Sequence, residues 1–227
     1  MSDPLRTGFC VSGKGRLFQE AVRHRNLLGI DPTLAVLGYG ADPGLEGFCV
    51  AHGITPVRME HARGPELNDA LELALVPADL GLVALTFDHL IPPPVVRHYR
   101  GRMVNLHLAL LPAFPGFRAI PKALAGGVRF AGATVHEVDE TMDGGPIIAQ
   151  AVVGLRRDDT TETVGARVFA AARPMFLQVL RWFAAGRVER DPDGRVWVRG
   201  AEYGALPVSP AVEECVLKVV GTLRVPL

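Results

Sequence analysis

The sequence predicts an α/β fold with a mostly parallel central sheet, a long helix in the carboxyl-terminal half and a short carboxyl-terminal extension. Three observations predict it. In the first half, short apolar runs alternate with longer segments of helical periodicity, the pattern of successive β-α units. Leu80 to Phe87 is almost entirely apolar, as a strand covered on both faces should be. Val164, Val168, Ala171, Met175, Val179 and Phe183 recur at helical spacing, so one face of a long helix should pack on the sheet.

Taken in order, Gly8 to Val11 reads as the first strand, followed by the turn Ser12-Gly13-Lys14-Gly15-Arg16 and a helix to about Leu28. Thr33 to Leu37 is the second strand and Leu45 to His52 a helix opened by Asp42-Pro43-Gly44. Thr55 to Met59 is a third, short strand, and Glu66 to Leu75 a helix with Pro65 suited to its first turn. The Leu80 to Phe87 strand comes next; Pro92-Pro93-Pro94 then breaks the chain before a short helix to Tyr99 and the strand Met103 to His107. An irregular loop with Pro112, Pro115 and Gly116 leads to a helix from Ala119 to Ala125. Phe130 to Val138 and Ile147 to Val153 read as strands flanking the loop Asp139 to Pro146. Asp159 with Glu162 resembles a capping box opening the long helix, which Pro174 can kink and Gly186 ends. Val188 to Glu189 and Arg195 to Val198, joined by Asp191-Pro192-Asp193-Gly194, form a hairpin. We expect residues 1–200 to be one catalytic domain and 201–227 an extension, helical over Ala211 to Leu223.

The 227 residues, 48% hydrophobic and 21% charged, suffice for one sizeable core. Twenty-four basic and 24 acidic residues cancel, so no global field recruits nucleic acid or an anionic membrane. Cys10, Cys49 and Cys215 lack metal-ligand spacing and are read as buried small hydrophobes of a reducing compartment. No leader pattern precedes Gly8 and no apolar run approaches the roughly twenty residues of a bilayer span, so a cytoplasmic location is expected. The expected partners are a small-molecule amine and at most a second copy of the chain in a homodimer.

The chemistry concentrates in two segments. In an extended strand side chains alternate, so Asn105 and His107 project to one face and Val104 and Leu106 to the other. One histidine in a core strand is usually a satisfied structural residue. An amide two residues earlier on the same face is harder to dismiss, since burying both without partners costs a few kcal/mol. Asp143 lies in an acidic, glycine-rich loop that alone could be a solvated turn. Together the three make a set for acyl-type transfer: Asn105 stabilises a developing oxyanion, His107 handles protons, and Asp143 tunes His107 or orders a water. The other histidines, His24, His52, His61, His89, His98 and His136, have no such partners in sequence. Gly13 and Gly15 without a third glycine do not make a dinucleotide fingerprint, and no lysine closes a Walker run. What remains at Gly13, Lys14, Gly15 and Arg16 is either a tight turn or an anion site on a helix amino terminus, with two added cations.

These residues resemble the folate-dependent formyltransferases, most closely those acting on glycinamide ribonucleotide. The likeness is strongest from Arg97 to about Val198. It rests on Asn105-Leu106-His107, Leu110-Leu111-Pro112-Ala113-Phe114-Pro115-Gly116, Ala133-Thr134-Val135-His136 and Val138-Asp139-Glu140-Thr141-Met142-Asp143-Gly144-Gly145-Pro146-Ile147-Ile148. The resemblance implies a Rossmann-like domain that takes 10-formyltetrahydrofolate as cosubstrate, without a metal, and passes the formyl group to an amine. It implies Asn105, His107 and Asp143 as the catalytic set. It places the pterin against Leu85, Phe87, His89, Leu90 and Ile91 and against Val138, Asp139, Glu140 and Met142, with the acceptor at Gly13 to Arg16.

Departures from the family pattern fall on the acceptor side, while the formyl-donor loop is kept. Leu108 and Ala109 replace a proline and a serine after the Asn-x-His motif. Arg16 and Leu17 stand where glycinamide ribonucleotide enzymes carry a small hydroxyl residue and an asparagine; Ala172 and Arg173 where the family has an acceptor-contacting glutamate and a histidine; Asp88 and His89 where the purine enzymes have methionine and arginine. The expectation is therefore an N-formyltransferase whose acceptor is another amine, on a specialised metabolite, amino acid, peptide or amino sugar. The alternatives are a divergent glycinamide ribonucleotide enzyme in which Arg16 replaces the lost phosphate contacts, and a catalytically silent folate-binding protein. A methionyl-tRNA formyltransferase would need a larger carboxyl-terminal domain and a basic surface, and a formyltetrahydrofolate hydrolase an amino-terminal regulatory domain.

Overall fold

The computed structural model describes residues 3–221, which divide into two units: the chain up to Asn105 together with Val138–Glu140, and Leu106–Glu137 together with the chain from Thr141 onward. The first unit is built of β-α repeats: β1 (Leu5–Val11), α1 (Arg16–Arg23), α2 (Arg25–Leu28), β2 (Ile30–Leu37), α3 (Gly44–Ala51), β3 (Thr55–Arg58), α4 (Pro65–Leu75), β4 (Leu82–Thr86), α5 (Pro93–His98) and β5 (Met103–His107). β5 carries the chain from this unit into the next. Every strand pairing here is parallel: β1 lies between β2 and β4, β3 joins β2, and β5 joins β4 through Leu85 opposite Asn105. The chain thus moves outward from β1 through β2 to β3 and returns to the other side of β1 with β4. That reversal creates a topological switch point at the carboxyl ends of β1 and β4, where open parallel sheets bind ligands.

Apolar runs without alternation, Thr7–Val11 and Leu82–Leu85, are buried throughout because helices cover both faces. Leu67, Leu71 and Leu75 of α4, Val95 of α5, Tyr99 and Met103 share one buried cluster with Cys10, Val36 and Val83, and the Tyr99 hydroxyl donates to the Leu75 carbonyl at 2.5 Å. Both β1 and β2 start three residues earlier than the sequence suggests. Pro32, which has no N–H to give, sits in β2 opposite Thr7, and the register shifts between Thr7 and Gly8 to absorb it. The expected single helix after the first turn is two, broken at His24, whose backbone (φ −107°, ψ 16°) leaves the helical region.

The second unit contains α6 (Ala119–Ala125), β6 (Phe130–Glu137), β7 (Ile147–Gly154), α7 (Thr161–Ala184), β8 (Val188–Arg190), β9 (Val196–Val198), β10 (Val208–Ser209) and α8 (Glu214–Val220). β6 and β7 pair antiparallel, β10 adds to β7, and α7 packs on β6 and β7. Gly132 makes the strand pair possible, since a Cβ there would lie 2.0 Å from the Ala151 carbonyl oxygen. β10 is too short to leave a pattern in the sequence. α8 lies within the Ala211 to Leu223 segment expected to be helical, whose last two residues fall outside the described ones. Glu213, just before α8, holds this end of the chain to α7 through Arg187, Trp182 Nε1 (3.2 Å) and Arg181 (3.4 Å), and its N–H donates to Gln178 (2.9 Å). Burial pushes the Glu213 carboxyl up, but the hydrogen bonds from Arg187 and Trp182 outweigh it and hold it below the usual range.

The start of α7 corrects one expectation. Its N-cap is Thr160, which accepts from the Thr163 N–H (3.3 Å) while the Thr160 N–H donates to the Thr163 hydroxyl (2.9 Å); Asp159 and Glu162 do not form the box. Asp159 instead takes a bidentate pair with Arg167 at 2.8 and 2.5 Å and accepts from the Arg156 N–H at 2.7 Å. α7 runs through Pro174 as one helix. Cys10 and Cys49 are buried, and burial pushes their thiols up, Cys49 to about 11; Cys215 is only half-buried. Among the described residues no helix is long and apolar enough to cross a membrane.

The Arg167 hydrogen bond, ahead of the Arg156 N–H, holds the Asp159 carboxyl well below its ordinary value. A depressed carboxylate contributes stability above the unfolded-state value, about pH 4, and loses it as pH falls through the lowered one. Asp159→Asn should therefore lower the melting temperature at neutral pH, with the gap to wild type narrowing once the pH falls below about 4. A gap constant across that range, followed by calorimetry, would contradict this.

Candidate active site

The site in the second unit is assembled from the end of β5, the loop after it, the end of β6 and the Thr141–Pro146 turn. His107 closes β5 and is 9% exposed. Its Nδ1 lies 3.3 Å from Asp143 Oδ2, and its Nε2 is 2.9 Å from the Phe114 carbonyl oxygen. A carbonyl oxygen can only accept, so Nε2 carries a proton. Both ring nitrogens thus face acceptors.

Asp143 is the hub. Its side chain is 13% exposed, and its other oxygen, Oδ1, lies 3.5 Å from His136 Nε2. The Gly116 N–H donates to Oδ2 at 2.7 Å. Asp143 adopts φ 51°, a left-handed conformation that aspartate tolerates better than bulky residues, and Phe114 and Arg118 in the facing loop are also left-handed (φ 56° and 61°). Strained backbone of this kind persists where surrounding contacts over-determine it. His136 Nδ1 is held by the Glu137 carbonyl at 2.8 Å, which leaves Nε2 to the carboxylate.

The loop after His107 is pinned from below. The buried Thr134 hydroxyl donates to the Ala109 carbonyl (2.7 Å) and accepts from the Leu111 N–H (3.1 Å), while Gln150 Nε2 donates to the Leu111 carbonyl (2.9 Å). Leu108 and Ala109 therefore sit in a fixed loop even though the family's proline and serine are missing there.

In the first unit, Asn105 is half-buried in β5 beside Leu85, and the glycine turn lies at the switch point. Gly13 and Gly15 are both left-handed, φ 59° and 58°; a Cβ on Gly15 would also lie 2.9 Å from Val11 Cγ1 and from Leu45 Cδ2. Lys14 and Arg16 are exposed at the start of α1. Of the residues expected to hold the pterin, Phe87, Ile91 and Val138 are partly buried against the first unit's core cluster, to which Leu85 belongs. His89 packs edge-on against Phe87 at 4.7 Å, Leu90 is exposed, and Glu140, beside exposed Asp139, pairs with Arg97 at 3.1 Å. Met142 belongs to the second unit and is half exposed. Among the described residues no group of three His, Cys, Asp or Glu side chains could hold a metal.

With that geometry in place, the comparisons are decisive about family. A family model described as formyl transferase matches residues 45–180, more than half of the chain. This chain belongs to that family. A phosphoribosylglycinamide formyltransferase of Bacillus subtilis is 40% identical over 104 residues, 45% of this chain and 53% of that protein. The human trifunctional purine biosynthetic protein adenosine-3 is 37% identical over 136 residues, 59% of this chain. This chain spans about half the length of the Bacillus relative and 14% of the human one. The crystal structure of glycinamide ribonucleotide transformylase 1 from Symbiobacterium toebii matches with a TM-score of 0.78 at 29% identity, over 87% of this chain and 95% of that one.

Within this formyl transferase fold the structure adds one residue to the set read from sequence. His136, which has no evident partner in sequence, faces the same carboxylate as His107. Its signal was present in the Ala133-Thr134-Val135-His136 run, a stretch of family likeness immediately before the Asp143 loop. If His136 and Asp143 interact, truncating them should be non-additive. In urea unfolding, His136→Ala should lose about 1–3 kcal/mol alone and appreciably less in an Asp143→Ala background. Additive losses would show that the 3.5 Å contact is incidental.

Proposed function

We propose that this chain transfers the formyl group of 10-formyltetrahydrofolate to the amine of glycinamide ribonucleotide. The observation that carries the reading is the partly buried Asp143 carboxylate, fixed by the Gly116 N–H and facing both His107 and His136. An imidazole oriented by a carboxylate can take up and return a proton during amine attack on a carbonyl. His107 serves as that proton-handling group and Asp143 orients its ring. Asn105 offers its amide N–H to the oxyanion that develops at the formyl carbon, where a fixed dipole is worth more than in water. Partly buried Ile91 and Val138 and exposed Leu90 fit a flat heteroaromatic ring, which needs apolar walls. The folate, when bound, supplies the formyl carbon.

This proposed acceptor differs from the one the sequence departures lead one to expect. It is supported by the names of the relatives, which favour glycinamide ribonucleotide. Leu17 is 4% exposed and Ala172 fully buried, so packing constrains both positions. Arg16, exposed beside Lys14 at the start of α1, offers positive charge to a phosphate. Mixing the purified protein with 10-formyltetrahydrofolate and glycinamide ribonucleotide tests the reading. His107→Ala and Asp143→Ala should each lower kcat by about a hundredfold or more with unchanged circular dichroism. Wild-type turnover in either variant would remove the role assigned to that residue, and turnover of another amine in preference would remove the acceptor.

A further inference from the structure

One cluster at the switch point is left over by this mechanism. Ser12 follows β1, Asp88 and His89 follow β4, and Gly38 follows β2, so three strand ends meet there. The Ser12 hydroxyl donates to Asp88 Oδ1, and the Asp88 N–H donates back to Ser12 Oγ at 3.1 Å. His89 Nε2 approaches the same oxygen to 3.2 Å without forming a hydrogen bond, and this buried nitrogen has no other hydrogen-bond partner among the described residues. The packing is tight: a Cβ on Gly38 would lie 3.0 Å from Phe87 Cε2, 3.1 Å from Ser12 Oγ and 3.2 Å from His89 Nε2. Asp88 Oδ1 is thereby fixed. Its carboxylate is nevertheless 67% exposed, and Oδ2 has no hydrogen bond or ion pair among the described residues.

We propose that Asp88 is the acceptor-recognising residue of this chain, its Oδ2 taking hydrogen bonds from hydroxyl groups of the amine substrate. The inference rests on the formyl-transfer reading and specifies the class of acceptor. A carboxylate accepts only, so the group it reads must donate. Lys14 and Arg16, two and four residues beyond Ser12, favour an anion, whereas Asp88 repels one. A ligand spanning both carries a negative end for the glycine turn and a donor-bearing middle for Asp88. A phosphorylated, polyhydroxylated amine has that distribution. Pinned between the serine hydroxyl and the His89 ring, the carboxylate is pre-organised, so less side-chain freedom is lost on binding.

The test uses the full chain with Asp88→Ala and with Asp88→Asn, which is isosteric and guards against loss of fold. With glycinamide ribonucleotide varied at saturating 10-formyltetrahydrofolate, Asp88→Ala should raise the acceptor KM at least tenfold, Asp88→Asn less, while the donor KM stays within twofold. The 2′,3′-dideoxy analogue of the acceptor should bind wild type and Asp88→Ala alike. An unchanged acceptor KM, a shift in the donor KM instead, or equal loss of the dideoxy analogue in the variant overturns the proposal. Calorimetric binding of the acceptor separates the two readings. Acceptor binding that depends on Asp88 without turnover sinks formyl transfer and keeps Asp88; absence of acceptor binding by wild type overturns this proposal.

Discussion

The site in the second unit depends on a single, partly buried carboxylate being held where it faces two imidazoles. Asp143 is in a left-handed backbone conformation, is 13% exposed, and accepts the Gly116 N–H at 2.7 Å. A carboxylate removed from water needs partners for its lone pairs, and the loop around Phe114 and the end of β6 supply them. The constraint is mutual. His107 Nε2 fixes the Phe114 carbonyl, Gly116 two residues on fixes Asp143, and Asp143 faces His107 Nδ1, so the imidazole and the carboxylate are parts of one closed circuit of contacts. Thr134 and Gln150 anchor the same loop from beneath, which explains how Leu108 and Ala109 are accommodated after the histidine.

The first unit solves a different problem. Its inner strands are buried over Thr7–Val11 and Leu82–Leu85, so most polar side chains gather where those strands end. The outward run from β1 to β3 and the return to β4 place the glycine turn, Ser12 and Asp88 at one such end. Gly15 is required there by its conformation and by the closeness of Val11 and Leu45. Cationic Lys14 and Arg16, two and four residues past Ser12, and anionic Asp88, hydrogen-bonded to the Ser12 hydroxyl, bring both signs of charge to this end.

Much of this was legible in the chain. The bounds of β5 and α6 match the sequence reading, because a run of alternating or continuous apolar residues ended by Pro or Gly leaves little freedom. Asn105, His107 and Asp143 stood out because polar side chains next to an apolar run demand a partner. What was not legible depends on contacts between distant residues. Ser12 and Asp88 are 76 positions apart, and nothing local couples them. The shift opposite Pro32, the Thr160 cap and the two-residue β10 are settled by neighbours in space. The facing of Leu17 and Ala172 was not legible either, because sequence does not show which way a helical side chain points; both are in the core.

The central claim is that the charge on Asp143, acting on His107, drives formyl transfer to an amine. It is tested most directly by following the label of 10-[14C]formyltetrahydrofolate in wild type and in Asp143→Asn, since asparagine tolerates the left-handed conformation and removes only the charge. The account predicts label in formylglycinamide ribonucleotide with wild type and little with the variant. Label released as free formate by wild type, or equal transfer by the two proteins, would contradict it.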